Sequence, residues 1–331
     1  MNPSRRQFLR QSLTAVAAGA AVSCGAEPQP ARQKTSGGGS KRSLVVRAHR
    51  PNVRAAPDRY DLAVLDEMLG ACMARLTNTA DAASAWKSLF SPKDHVALKI
   101  NTLGGKLSTS PAVVDAIVRG LVSAGVAENH ILVWDRFNRE LISAGFTIKT
   151  SGKGHLCAGT EEEYDNRLTV HGQIGGSLSR LLTEFATAMI NVPILKDHNV
   201  AGLAVSMKNL YGIIDNPNRY HGNNCDPYIA DIADLPIVRE KMRLIVCDAI
   251  YAQYEAGPTY YPKYYYAADT IMAATDPVAL DTVGWQMIEA KRREAGLKSL
   301  EDSGRPPRWL ATAAARGIGQ NDLGKIDVAD V

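Results

Sequence analysis

Two lysines and a histidine interrupt an otherwise apolar stretch, "INVPILKDHNVAGLAVSMKNLYGII", residues 190–214. Lys196, Asp197 and His198 close one apolar run, and Lys208 and Asn209 stand inside the next. A charge placed within core is costly unless it is paired, so these residues call for a partner or a chemical task. Lys196, His198 and Lys208 are the candidate catalytic residues. A lysine crowded by other cations loses proton affinity and can serve as base or nucleophile, and histidine transfers protons near neutral pH. Lys99, Asn101, Ser110, Asn209, His221 and Asp248 are the candidate ligand-binding residues. The lysines favour a carboxylate or phosphate, and the helix start at Thr109-Ser110-Pro111 offers backbone N–H groups to the same anion. Asn209 is cast as an orienting donor, and Asp248 as the partner of a lysine or of the histidine. A metal reading competes: His198, His221 and Asp248, with Asp197, could supply nitrogen and oxygen to a divalent zinc, iron or manganese ion. Against it, the sequence holds no H-x-x-x-H or H-E-x-x-H pair, and neighbouring lysines repel a cation.

Something must bring these positions together. Short β-branched runs predict strands at 43–49, 95–101, 130–135, 188–195 and 243–250, and the run 269–275 leads into a helix. Helical periodicity predicts helices over 61–76, 110–125, 138–145, 200–212, 276–296 and 307–317, with a final strand in "GKIDVADV". Ser110 and Asp276 stand as N-caps, each followed by proline, and Gly125 and Gly296 as stops. The alternation predicts an α/β fold: a mostly parallel central sheet flanked by helices, with a less regular insertion around 150–185. Lys99, Asn101, Asp135, Lys196, His198 and Asp248 all fall at strand ends, where open parallel sheets bind ligands. Lys208 reaches that edge only if its helix crosses it or breaks near Gly202. Asp281 is a candidate partner for a lysine there. Seven of the twelve tyrosines lie between 251 and 266, as a lid over the crevice or as a hairpin packing its own rings.

"LKIN" (98–101), "STSPAVVDAIVRGLVSAG" (108–125), "VPILKDHNVAGLAVSMKNLYGII" (192–214), His221, "IVCDAI" (245–250), Gly257-Pro258 and "ATDPVALD" (274–281) together resemble the family called domain of unknown function 362, over about residues 94–320. The resemblance implies the α/β fold and the positions of the site, and implies little about the reaction. Several members of that family carry a ferredoxin segment with clustered cysteines. No such segment occurs in this sequence, so no iron–sulfur cluster is expected.

The first residues set location rather than chemistry. Arg5-Arg6, then Phe8-Leu9 and an apolar run ending at Cys24, predict a twin-arginine signal over 1–24 that engages the twin-arginine export machinery. "AVSC" makes Cys24 a candidate for lipidation and membrane attachment. Residues 25–42, rich in Pro, Gly, Ser and Gln, read as a flexible tether, and 43–331 as one α/β domain. The formal charge of +4 falls to about +1 without Arg5, Arg6 and Arg10, so no nucleic-acid partner is expected. Cys72, Cys157, Cys225 and Cys247 show no C-x-x-C spacing, and at most one disulfide is expected among them. No glycine-rich phosphate or dinucleotide loop follows a strand. The expectation is an exported envelope protein binding a small anionic substrate, with an enzyme favoured. A non-catalytic ligand- or cofactor-binding protein and an accessory subunit of an exported redox complex are the alternatives.

Overall fold

A computed structural model describes residues 42–56 and 59–331; the expected signal with Cys24, and the expected tether up to residue 41, lie outside the described residues. Ten strands form one sheet: β1 (Ser43–His49), β2 (Val96–Ile100), β3 (Ile131–Asp135), β4 (Leu156–Gly159), β5 (Ala188–Val192), β6 (Ile194–His198), β7 (Gly202–Ala204), β8 (Met242–Gln253), β9 (Tyr265–Ala274) and β10 (Ile326–Asp330). Across the sheet the order is β10-β1-β9-β8-β5-β2-β3-β4, and β6 pairs with both β7 and β8. The run from β8 through β5, β2 and β3 to β4 is parallel, β9 is antiparallel to both its neighbours, and β10 runs parallel to β1.

Among the described residues, nine α-helices accompany the sheet: α1 (Leu62–Thr77), α2 (Ala82–Leu89), α3 (Pro111–Ser123), α4 (Asn138–Ser143), α5 (Ser206–Asn209), α6 (Tyr228–Ala233), α7 (Pro236–Lys241), α8 (Pro277–Glu294) and α9 (Trp309–Ala315). Alternate strand residues feed two cores. Ala97, Leu132, Met189, Ile245 and Met272 pack with the side that carries α5 to α9. Val96, Leu98, Val133, Ile190, Val246 and Ala273 pack with α1, α2 and α3. The protein is therefore α/β, with helices on both faces of a mostly parallel sheet. The expected caps are present: Ser110 accepts from Ala112 N, and Asp276 from Val278 N and Ala279 N. Helix α2, capped by Asp81, was not expected from the sequence. Residues 150–185 are irregular as expected, with a small ribbon of Thr169–His171 and Ile174–Gly176, yet they also supply the edge strand β4.

Two departures from expectation decide where the chemistry-bearing residues sit. The single strand expected at 188–195 is divided at Pro193, which has no N–H for a ladder. Strand β5 pairs with the start of β8, and β6 with its far half, so β6 carries Lys196 and His198 beyond the end of the sheet proper. The helix expected at 200–212 is replaced by a hairpin. Gly202 adopts φ +76, and a Cβ there would lie 2.1 Å from Arg305 O. The chain turns back as β7 and then makes a single α-turn, α5, followed by a 3₁₀ turn Leu210–Ile213. Lys208 and Asn209 are thus within one turn of a strand rather than three turns along a helix.

Asp281 fixes that turn. Its two carboxylate oxygens accept the N–H groups of Ser206 and Met207, both at 2.8 Å. It does not pair a lysine, as expected of it; both oxygens are taken by the start of α5. Burial pushes its carboxyl up to about 8, against the lowering effect of those two N–H groups. Replacing Asp281 by Ala leaves two buried N–H groups unmatched, so urea denaturation is expected to register a loss of about 2–5 kcal/mol; a loss below about 0.5 kcal/mol would refute this role.

Candidate functional site

The floor of the site is a buried polar network at the ends of β2, β3 and β5. Lys99, only 1% exposed, donates from Nζ to Asp135 Oδ1 at 2.8 Å, to Ile100 O at 2.7 Å and to Asn209 Oδ1 at 3.2 Å. The second oxygen of Asp135 accepts the N–H and hydroxyl of Thr102. Asn209 Nδ2 donates to Lys99 O and to Asn191 Oδ1, and Asn191 Nδ2 reaches Ser206 O. Asn101 Nδ2 donates to Asn209 Oδ1. Gly212 lies against this pair: a Cβ there would come within 2.6 Å of Lys99 Nζ. Burial lowers the Lys99 ammonium and Asp135 opposes the shift.

Lys196 lies above the floor and has no carboxylate contact among the described residues. Its Nζ donates to three neutral oxygens: Asn101 Oδ1 at 2.9 Å, Leu103 O at 2.5 Å and Leu107 O at 3.3 Å. One ammonium therefore ties both ends of the loop 103–107, and Tyr260 N reaches Gly104 O between them. Burial pushes Lys196 down to about 7.

The third lysine has different company. Lys208 Nζ lies 3.2 Å from His221 Nε2 and 3.5 Å from the centroid of the Tyr211 ring. His221 Nδ1 faces Pro217 O at 3.1 Å. A carbonyl only accepts, so the neutral ring carries its proton on Nδ1, and Nε2 accepts from Lys208. His198 has the opposite tautomer. Its Nδ1 accepts the N–H groups of Val200 and Ala201, both at 3.1 Å, so the proton sits on Nε2, which has no hydrogen-bond partner among the described residues. The two imidazoles stack with centroids 5.7 Å apart. Burial, with Lys208 and His221 nearby, pushes His198 down to about 2. Burial likewise lowers Lys208 to about 7, although the Tyr211 face favours its charged form. Burial also pushes the Cys225 thiol up, with Lys208 pulling it down. Asn223, Asn224 and Cys225 are consecutively left-handed, at φ 49, 55 and 64, and such backbone is costly outside glycine.

Lys99, Asn101, Lys196 and Asn209 form one hydrogen-bonded network, and Lys208, His221 and His198 stand together. Ser110 and Asp248 belong elsewhere. Asp248 Oδ2 accepts Ser110 N at 2.9 Å and Oδ1 accepts Ile250 N at 3.1 Å, so it fastens the start of α3 to β8 and holds neither a lysine nor a histidine. Ser110 has its N–H engaged there and its hydroxyl on Ala112 N, leaving neither free for an anion. The candidate metal trio is not assembled. Asp248 is committed to backbone, His198 Nδ1 takes two N–H groups and His221 Nε2 takes Lys208. Asp197 pairs with Arg305 at 2.6 Å and accepts Gly257 N. Among the described residues no group of three His, Cys, Asp or Glu could hold a metal ion. The four described cysteines are buried and unbridged. The tyrosines of 251–266 pack on one another, Tyr251 on Tyr265 at 4.8 Å and Tyr254 against Tyr264 and Tyr266, as the hairpin linking β8 to β9.

Residues 96–286 match the family described as Domain of unknown function (DUF362). The chain belongs to this family. A crystal structure of a protein from Thermotoga maritima is similar at 12% identity with a TM-score of 0.39; the match covers 66% of this chain and 55% of that one. The chain thus spans little more than half the length of that protein. No curated protein matches.

Within the DUF362 match lie several contributors that were not singled out from the sequence: Thr102, Asn191, Tyr211 and Cys225. Asn191 carried a usable signal, a polar residue inside the apolar strand "AMINV". Tyr211 and Cys225 carried none, because a turn and not a pattern brings them to Lys208.

The partners of the lysines predict opposite responses to the same substitution. Lys99→Met strands the buried Asp135 carboxylate and is expected to cost about 3–5 kcal/mol. Lys208→Met strands no carboxylate and is expected to raise stability by about 1–3 kcal/mol at pH 6. The sign follows from linkage. Below about 7 both states keep the Lys208 proton and the folded chain bears the full desolvation cost; between about 7 and 10.4 only the unfolded chain keeps it, and the cost fades. The advantage of Lys208→Met in urea denaturation should therefore shrink steadily from pH 7 to pH 10. An advantage that grows with pH contradicts the assignment.

Proposed function

We propose that this protein is an exported enzyme of the cell envelope that binds a small anionic substrate beside Lys208, at the C-terminal edge of the sheet. One observation carries the reading. Lys196 and Lys208 are buried, and neither meets a carboxylate among the described residues. A substrate carboxylate or phosphate supplies the missing negative charge and accepts the open N–H donors of Lys208 and His198.

The roles divide by hydrogen-bond partners. Lys196, fully engaged, contributes its charge and holds loop 103–107 in place. Lys208, with a proton acceptor in His221 and a pKa near 7, is the base or nucleophile. His198 is a fixed donor through Nε2, as its strongly lowered pKa takes away the acid–base task first expected of it. Asn101 and Asn209 hold the floor. The Arg5-Arg6 leader supports export, and Cys24 at its end supports lipid attachment to the envelope.

Thermal melts in rising inorganic phosphate and rising malonate provide the test. A ligand at a hundred times its dissociation constant adds about 2.7 kcal/mol to stability, so the wild-type melting temperature should climb with at least one of these anions, and that response should vanish in Lys208→Met. A wild-type chain indifferent to both would remove the reading.

A further inference from the structure

Lys208 has a proton acceptor, His221, at hydrogen-bond distance and a proton donor, His198, in the imidazole stacked on that acceptor. Pro217 O fixes the proton of His221 on Nδ1, so His221 Nε2 presents a lone pair to Lys208 Nζ at 3.2 Å. The N–H groups of Val200 and Ala201 fix the proton of His198 on Nε2. The His198 ring stacks on His221 with centroids 5.7 Å apart, and the Lys208 charge acts on it, so this donor lies on the same side of the sheet edge as the amine. Polarity of this kind is not what simple anion capture needs, because a carboxylate or phosphate wants donors only. It suits a reaction in which an amine loses a proton while an oxygen nearby gains hydrogen-bond support. Lys196 lacks such a neighbour: all three of its acceptors are amide or peptide oxygens, which do not take up a proton.

We propose that Lys208 forms a Schiff base with the carbonyl carbon of a small 2-oxo acid, an inference that rests on the anionic-substrate reading above. The neutral amine attacks the carbonyl carbon, and the carbonyl oxygen takes the hydrogen bond from His198 Nε2. His221 Nε2 accepts the first amine proton and returns it to the departing oxygen. The second amine proton leaves with that oxygen as water. The balance is amine plus carbonyl giving imine plus water, with no change of oxidation state and no co-reactant. The carboxylate of the 2-oxo acid supplies the negative charge that the lysines lack. Asn209 and Lys99 stay in the floor and take no covalent part.

Borohydride reduction traps such an imine as a stable secondary amine. The full wild-type chain is incubated with glyoxylate or pyruvate at pH 7, reduced, digested and mapped by mass spectrometry. At that pH an amine titrating at about 7 is half neutral, while a surface lysine at about 10.4 is neutral in about one molecule in 2,500. Labelling at Lys208 is therefore expected to exceed that at any surface lysine by on the order of a thousand-fold. It should fall to background in Lys208→Arg, whose fold is checked by its melting curve. Adducts spread over surface lysines, or centred on Lys196, overturn the proposal, and the wild-type map alone decides this if the variant fails to fold. Should phosphate or malonate raise the melting temperature while no Lys208 adduct forms, the Schiff base falls and the anion reading stands; should none of these anions bind, both fall.

Discussion

A lysine side chain inside a protein must find negative charge or lose its proton, and Lys99 finds Asp135. That pair organises the reactive edge of this molecule. Asp135 ends β3, Lys99 nears the end of β2, and Asn209 bridges from α5 to both Lys99 and Asn191 of β5. Three strand ends and one helical turn are held by a single satisfied network. Thr102 extends it to the loop that follows β2, and Gly212 must be a glycine because a Cβ would strike the ammonium. Networks of this kind gain from low dielectric when complete and lose heavily when broken.

The three lysines read alike in the sequence and differ in the fold. Lys99 has a carboxylate and serves structure. Lys196 has three neutral oxygens and holds a loop. Lys208 has one imidazole and one aromatic face, and is left with capacity to spare. The distinction lies in the number and kind of acceptors around each nitrogen, a property set by turns and loops.

Much of the framework was legible because it rests on local rules. Ser110-Pro111 and Asp276-Pro277 announce helix starts, and the β-branched runs announce strands whose carboxyl ends share one edge. Lys99, Asn101 and Lys196 follow from that topology, whereas Asn209 reaches them only through the unforeseen hairpin at Gly202. What could not be read depended on contacts between distant segments. Pro193 divides a strand, and Gly202 turns an apolar run into a hairpin because Arg305, a hundred residues on, leaves no room for a side chain. Asp248 and Asp281 carry the same carboxylate as any ligand-binding aspartate, but each meets two backbone N–H groups instead. Tyrosine clustering between 251 and 266 pointed equally to a lid and to a self-packed hairpin, and the rings stack on each other.

The pairing of β1 with β10 and β9 has a geometric result. Ser43 lies beside Ile326, and Val45 is level with Ala274, which faces Ile245 near the start of β8. The polypeptide upstream of Ser43 therefore joins the body where the parallel strands begin, while the lysines gather where they finish. A bulky group fused ahead of Ser43 would start at the opposite end of the strands from Lys208 and leave the reactive rim clear.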